Sequence, residues 1–223
     1  MLRAIIFDFD GVLVETEPLH FEAFAHVLPA FDLELSRDDY FARYAGLSDA
    51  EILRRLSADR NRRWTPETFE DILHRKKARY GALIASGIEP LPGVADLVRR
   101  ASRHWPLAIC SGSTRSEIET ILSRVHLCAC FSTLVAAEDV PVSKPDPAGY
   151  RRALAHLKNR IPDLEPAECL VIEDSRAGIL AAKAAGMHVL AIRKDYGDAD
   201  SAPADQWIDS FLELTDERLV GVI

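Results

Sequence analysis

Five short apolar runs alternate along this chain with amphipathic segments of helical period, and this alternation limits the possible folds more than any other feature. The runs are AIIFDFD, PLAICSGS, STLVAAED, CLVIEDS and HVLAIRKD, and the helical patterns between them include VADLVRRASR, RSEIETILSRV, PAGYRRALAHL and RAGILAAKAAG. Short, continuously apolar runs are typical of strands buried on both faces. Their alternation with helices predicts βαβ units and an α/β core built on a parallel sheet.

The alternation is interrupted between the first run and the second. Residues 15–86 contain three amphipathic patterns, PLHFEAFAHVL, DAEILRRLSA and PETFEDILHRKKARYGALIA, and no convincing strand. The segment GIEPLPGV, rich in glycine and proline, then marks a return to the α/β pattern. We therefore predict an all-helical domain at 15–86 inserted into a core domain formed by 1–14 and 87–223.

Charge and hydropathy exclude several classes of partner. The formal net charge of −8 gives no basic surface of the kind that binds nucleic acid or an anionic membrane. No apolar stretch approaches the roughly 20 residues that span a bilayer, and Asp8 interrupts the first apolar run too early for a signal peptide. We expect a cytoplasmic protein. Oligomeric state cannot be read from the sequence, and a monomer or weak dimer is the working expectation.

Polar side chains follow four of the predicted strands at their carboxyl ends. They are Asp8 and Asp10, Ser111 and Ser113, Lys144, and Glu173 and Asp174. Each alone has an ordinary explanation, such as a helix cap or a solvated loop lysine. Ligands of open parallel sheets bind beyond the carboxyl ends of the strands, however, so a complementary set of charges at that edge indicates a site.

The chemistry of this set suits phosphoryl transfer. Clustered carboxylates repel one another and attract a cation, and an all-oxygen site favours Mg²⁺. Asp8 could act as a carboxylate nucleophile, and Asp10 could protonate the leaving oxygen and later deprotonate water. Ser111 and the backbone amides of Gly112 and Ser113 are ready donors to phosphate oxygens.

The motifs DFDGVLVETEPLH, ICSGSTR, VSKPDP and VIEDSRAGILAAKAAGM occur in this order and span nearly the whole chain. Together they resemble the haloacid dehalogenase superfamily, in its phosphatase and β-phosphoglucomutase-like branch. The first and last motifs are highly specific, whereas the other two are informative through their order. The resemblance implies a Rossmann-like three-layer core with a helical cap, of the C1 type, inserted after the first strand.

The resemblance also implies roles for the core residues. Asp8 would be the nucleophile, Asp10 the general acid and base, and Ser111 and Lys144 phosphate binders.

The metal expected from the resemblance is Mg²⁺. Its ligands would be Asp8, the backbone carbonyl of Asp10, and Asp174, which completes the shell with the support of Glu173.

Cap residues discriminate less well between the reactions of the branch. His20 is a candidate substrate-binding residue, but its EPLH context occurs in phosphatases and mutases alike. Mutases place an arginine where this chain has Asp49 in GLSDAE, and an acid there would repel a second phosphate. Lys76 matches a lysine found across the branch, yet an RKK segment is typical of a solvated helix face. Glu15 replaces the aspartate that most relatives carry at the hinge into the cap.

These observations predict a phosphoric monoester hydrolase: a Mg²⁺-dependent phosphatase that hydrolyses a small phosphorylated metabolite, a sugar phosphate, through an aspartyl-phosphate. The alternative is a β-phosphoglucomutase-type isomerase, which would release little free phosphate. A third reading is a non-catalytic module that binds a metal or a metabolite, because fold alone does not imply activity.

Overall fold

A computed structural model of the protein describes residues 1–194 and 202–223. In this part of the chain, parallel strands form one sheet in the order β3-β2-β1-β4-β5-β6. The strands are β1 (Ala4–Phe7), β2 (Leu107–Cys110), β3 (Phe131–Val135), β4 (Cys169–Glu173), β5 (His188–Ile192) and β6 (Gln206–Ile208). This is the strand order of a Rossmann-like fold, and the predicted fold class is confirmed.

The first five strands coincide with the five apolar runs. Strand β6 was not predicted, because three residues are too few to show a strand period. The last residue of the run HVLAIRKD, residue 195, lies outside the described residues. The helices of this unit are α5 (Val94–Ala101), α6 (Arg115–Arg124), α7 (Ala148–Leu157), α8 (Arg176–Ala184) and α9 (Asp216–Val220).

Strand β1 lies between β2 and β4, at the point where the strand order reverses. All four of its residues have no exposed surface. A strand paired on both sides and covered on both faces has no polar side, which explains why its sequence is uniformly apolar. The reversal of strand order beside β1 is the place where open α/β sheets bind their ligands.

The inserted residues form a second compact unit, Thr16–Gly87, and the core unit consists of Met1–Glu15 and Ile88–Ile223. The predicted boundaries lie one residue earlier at both ends of the insertion. Its helices are α1 (Glu17–Val27), α2 (Arg37–Arg43), α3 (Asp49–Asp59) and α4 (Pro66–Ser86). They enclose their own apolar core, which includes Phe24, Leu28, Tyr40, Ile52 and Ile72.

Helix α2 was not predicted, since its seven residues are too few for a period of 3.6 to stand out. Its start has a clear local signal: the hydroxyl of Ser36 accepts a hydrogen bond from the amide of Asp39. None of the helices in the described residues has both the length and the apolar content to span a membrane.

Candidate active site

The register of the sheet brings the ends of β1 and β4 together. Phe7 pairs with Ile172, so that Asp8 and Glu173 are the next residues in line on the two strands. The amide of Asp8 donates to the carbonyl of Ile172 at 2.9 Å, which extends the pairing by one residue. Two acidic side chains therefore leave adjacent strands at the same edge of the sheet.

Lys144 bridges these two acids. Its Nζ lies 2.6 Å from Oδ1 of Asp8 and 2.6 Å from Oε1 of Glu173. The ammonium also lies 5.2 Å from the centre of the Tyr150 ring. Burial lowers the pKa of Lys144, but the two carboxylates outweigh it and hold that pKa well above its usual value. Lys144 is therefore a fixed positive charge at the strand ends.

One ammonium does not neutralise all the acids around it. Burial, together with the charges of Glu173 and Asp10, raises the pKa of Asp8 to about 7 despite the opposing effect of Lys144. Burial also raises the pKa of Asp174 well above its usual range, together with the charges of Glu173 and Asp8. A cluster in which burial and mutual repulsion raise the pKa values of two acids has a deficit of positive charge.

Glu173 is the most fully satisfied acid of the cluster. Its Oε1 accepts from Lys144 and from the Tyr150 hydroxyl at 2.8 Å, and its Oε2 accepts from the amides of Asp174 and Ser175 and from the Ser175 hydroxyl, each at 3.0 Å. Burial raises its pKa, yet these donors outweigh burial and the pKa is lowered. Glu173 thus holds Lys144 and the turn that carries Asp174.

Two glycines allow these acids to sit where they do. A Cβ at Gly178, in α8, would overlap the carboxylate of Glu173, and a Cβ at Gly11 would overlap that of Asp174. Gly11 also has φ +71°, in the left-handed region that favours glycine. Larger residues at either position would push the carboxylates out of the cluster.

The donor set fits a hard divalent cation. In the described residues, Asp8, Glu173 and Asp174 each offer a carboxylate oxygen, and these oxygens lie within 4.8 Å of one another. Oxygen ligands of this kind suit Mg²⁺, and a cation would relieve the repulsion that raises the pKa values of Asp8 and Asp174. The predicted participation of Asp10 through its backbone carbonyl stays a prediction.

The side chain of Asp10 lies against the β2 loop. Its Oδ2 accepts a hydrogen bond from the hydroxyl of Ser113 at 2.5 Å. The amide of Ser113 donates to the hydroxyl of Ser111 at 3.0 Å, and Ser111 is buried. Gly112 between them is exposed, and no atom lies within 4 Å of the position that a Cβ would occupy there. The predicted acid, hydroxyl and amide groups therefore belong to one hydrogen-bonded turn.

A second polar cluster lies within the cap unit. Lys76 is only 1% exposed, and its Nζ lies 2.6 Å from both Oδ1 of Asp49 and Nδ1 of His20. Its ammonium lies 5.0 Å from the centre of the Phe24 ring and 4.8 Å from that of Tyr80. A charge this deeply buried needs a partner of opposite sign, which Asp49 supplies.

The prediction of a solvated RKK face is wrong for Lys76. Arg75 and Lys77 are exposed, but Lys76 shares the buried face of α4 with Ile72 and Tyr80, at a spacing of four residues. Adjacent residues of a helix point in different directions, so one lysine of a basic segment can be buried while its neighbours are exposed.

Lys76 also determines how His20 can be protonated. An ammonium has only donors, so Nδ1 of His20 accepts, and the ring carries its proton on Nε2. Burial raises the pKa of Asp49, but the neighbouring His20 and Lys76 outweigh it and the pKa is lowered. Asp49 is therefore the anion of a neutralised pair.

Comparison with known proteins assigns the family. The model of the haloacid dehalogenase-like hydrolases matches residues 5–192. The chain belongs to this family.

Its relatives agree with the branch inferred from the motifs. The β-phosphoglucomutase of Bacillus subtilis is 32% identical over 196 residues, 86% of this chain and 83% of that protein. Hexitol phosphatase B of Escherichia coli is 29% identical over 223 residues, 99% of this chain and 97% of that protein.

Solved structures of CbbY from Rhodobacter sphaeroides also match this chain. The complex with phosphate has a TM-score of 0.81 at 32% identity, and a variant in complex with xylulose-(1,5)bisphosphate has 0.78 at 30%; each covers 96% of both chains. The predicted family, fold class and enzyme class, a hydrolase of the haloacid dehalogenase superfamily, are confirmed.

Several residues around this acidic cluster were not predicted from the sequence. Tyr150 and Ser175 hold Glu173, and Gly178 makes room for it. Ser175 also caps helix α8, since its hydroxyl accepts from the amide of Gly178 at 3.1 Å. Tyr150 resembled an ordinary core aromatic, because a helical period marks a buried residue but not the group that its hydroxyl meets.

Proposed function

We propose that this protein is a Mg²⁺-dependent phosphatase that hydrolyses a small phosphorylated carbohydrate through an aspartyl-phosphate on Asp8. The observation that carries this proposal is the position of Asp8 between a fixed ammonium, Lys144, and two further acids. Relatives named for sugar and polyol phosphates, among them a hexitol phosphatase, support the substrate class.

In the first step, an oxygen of Asp8 attacks the phosphorus of the substrate and the bond to the sugar oxygen breaks. The leaving oxygen takes a proton from Asp10, whose carboxyl group is oriented by Ser113. Lys144 and the donors of the Ser111 turn stabilise negative charge on the phosphoryl oxygens. Asp8 now carries the phosphoryl group.

In the second step, water attacks the phosphorus of the aspartyl-phosphate and gives its proton to Asp10, releasing phosphate and restoring Asp8. Asp10 ends the cycle protonated, ready for the next substrate. Mg²⁺, held by Asp8, Asp174 and the carbonyl of Asp10, would neutralise phosphate charge and favour the ionised form of Asp8. Glu173 would act mainly by holding Lys144 and Asp174.

The cap cluster supports a substrate with one phosphate. Lys76 is the buried cation of this unit, and its charge is already matched by Asp49 at 2.6 Å. Where mutases carry an arginine, this unit thus has an acid already paired with Lys76, which adds no positive charge for a second phosphate. Because a CbbY variant binds a bisphosphate, such compounds belong in the test panel.

A mutase is the second candidate, since a β-phosphoglucomutase is among the relatives. In that reaction a sugar hydroxyl, and not water, would take the phosphoryl group from Asp8. The mutase hypothesis predicts that β-glucose 1-phosphate is isomerised in the presence of a bisphosphate activator and that little free phosphate is released.

Phosphate release distinguishes these reactions. Wild type and Asp8→Asn are assayed on hexose, pentose and hexitol monophosphates, xylulose 1,5-bisphosphate and an aryl phosphate, in Mg²⁺ or EDTA. We expect release that requires both Mg²⁺ and Asp8 and is fastest on a carbohydrate monophosphate. Release by Asp8→Asn at the wild-type rate would contradict the covalent route, and isomerisation without release would favour the mutase.

A further inference from the structure

A second lysine lies at the carboxyl edge of the core sheet and has no place in the steps above. Glu173 pairs with Ala191 across β4 and β5, so Lys194 lies a few residues beyond that register, at the edge where the acids cluster. The amide of Arg193 donates to the carbonyl of Ile208 at 2.9 Å, which fixes the chain beside β6 up to this point.

Lys194 is paired with Glu15. Its Nζ lies 2.7 Å from Oε2 of Glu15, and the lysine side chain is only 10% exposed. The chain just before Glu15 is held in the core unit, because Val14 forms bridges with Asp10 and with Pro90. This pair therefore joins the segment that follows the nucleophile to the end of β5.

Both members of the pair act electrostatically on Asp174, one of the three acids of the cluster. The ammonium of Lys194 lowers the pKa of Asp174 and the carboxylate of Glu15 raises it, although burial has the larger effect. Glu15 would add another negative charge to a cluster already short of positive charge. Paired with Lys194, it adds almost none.

We propose that Lys194 is a positioning residue of the metal site: by engaging and neutralising Glu15, it sets the net charge that a divalent cation meets at Asp8 and Asp174. This inference rests on the proposed function, because it requires the cation site. It assigns a role to Lys194, which lies outside the four motifs, and to its partner Glu15.

Charge balance gives the two single variants opposite effects. Lys194→Met leaves Glu15 unneutralised and should tighten Mg²⁺ binding, whereas Glu15→Gln leaves the ammonium unneutralised and should weaken it. For one uncompensated charge beside the acids we expect changes of about threefold to tenfold in the Mg²⁺ Kd at low ionic strength, and smaller changes at high salt. The double variant removes both charges and should bind Mg²⁺ within about twofold of wild type.

Mg²⁺ binding to the intact chain is measured by isothermal titration calorimetry, without substrate. Lys183→Met is the matched control, since Lys183 forms a similar pair with Asp205, 2.7 Å apart, near the amino end of β5. It should leave the Mg²⁺ Kd unchanged. A merely structural role for Lys194 predicts weaker binding in every variant that breaks the pair.

Opposite shifts in the single variants and recovery in the double variant would support the proposal. Equal Kd values in wild type, Glu15→Gln and Lys194→Met, or weakening in both single variants, would overturn it and leave the phosphatase untouched. If Lys194→Met does not fold, an unchanged Kd in Glu15→Gln alone overturns it. Failure of wild type to bind Mg²⁺ would overturn both this inference and the metal dependence of the proposed function.

Discussion

Two lysines with little solvent exposure, Lys144 in the core unit (side chain 17% exposed) and Lys76 in the cap unit (1% exposed), show how similar contacts can have different consequences. Lys144 in the core and Lys76 in the cap each lie 2.6 Å from two polar side chains and about 5 Å from an aromatic ring. The partners of Lys144 are two carboxylates with Asp174 nearby, whereas Lys76 meets one carboxylate and an imidazole. The core cluster therefore has excess negative charge and the cap cluster has none.

The core cluster around Lys144 therefore fits the proposed reaction, whereas Lys76 and Asp49 in the cap already neutralise each other. Asp8 is 7% exposed and holds its proton up to about pH 7, so its ionised form is costly until a cation or a phosphoryl group is present. Asp49 is ionised already, and its side chain remains 33% exposed. Groups held in an unfavourable ionisation state are expected at reactive positions.

The largest effect should follow removal of the core lysine. Lys144→Met leaves Asp8 and Glu173 buried without their shared cation, and breaking a buried pair in this way costs about 3 kcal/mol. We expect phosphate release to fall at least about a thousandfold, because transition-state charge loses its fixed partner. Urea unfolding in EDTA and phosphate release measure the two losses. A folded variant with wild-type turnover would contradict the role of Lys144.

Next in size is the effect of a single methyl group. Gly178→Ala places a Cβ on the carboxylate of Glu173, and we expect destabilisation by about 2 kcal/mol and a loss of activity. Gly81→Ala in α4 is the matched cap variant, because no atom lies within 4 Å of its Cβ position. It should gain about 0.5 kcal/mol from helix propensity. Equal thermal shifts for the two variants would show that Glu173 has room to move.

The raised pKa of Asp8 predicts a pH dependence. Because the folded pKa is about 7 and lies above that of the unfolded chain, this group stabilises the fold at acid pH, and that stability is lost as pH rises towards 7. Relative to wild type in EDTA, Asp8→Asn should therefore gain about 2 kcal/mol between pH 5 and pH 8. The difference in unfolding free energy between the two proteins measures this, since groups that do not interact with Asp8 contribute equally to both. A pH-independent difference would contradict the shift.

The smallest effect should be that of the cap lysine. Lys76→Met keeps an unbranched side chain between the rings of Phe24 and Tyr80, and the freed Asp49 can be hydrated. We expect a loss of about 1 kcal/mol, clearly less than for Lys144→Met. Chemical unfolding of the two variants under one condition makes the comparison. A loss of unfolding free energy for Lys76→Met as large as that for Lys144→Met would contradict this difference between the two clusters.

The core could be predicted more fully than the cap because strand ends are visible in sequence. An apolar run followed by acids fixes both the strand and the edge where Asp8 and Asp174 emerge, so the fold class followed from the pattern. Contacts between side chains that are distant in sequence cannot be predicted in this way. The hydroxyl of Tyr150 donates to Glu173, and Lys194 pairs with Glu15, but no local sequence pattern indicates either contact.

Lys76 illustrates the same limit in the cap. The local segment RKK describes a charged surface, and only the position of Ile72 and Tyr80 one turn away on each side places the middle lysine inside. Its partner Asp49 is on a different helix, so the sequence could suggest a missing arginine there but not the ion pair that replaces it.

The most direct test is to look for the phosphoryl group on Asp8. Wild-type protein turning over the best substrate of the panel is quenched in acid within the first turnovers, digested, and analysed by mass spectrometry, with Asp8→Asn as the control. We predict one phosphoryl group on the peptide that contains Asp8, absent from the control. Turnover in wild type with no phosphoryl group on that peptide, or with the group on another residue, would contradict nucleophilic attack by Asp8.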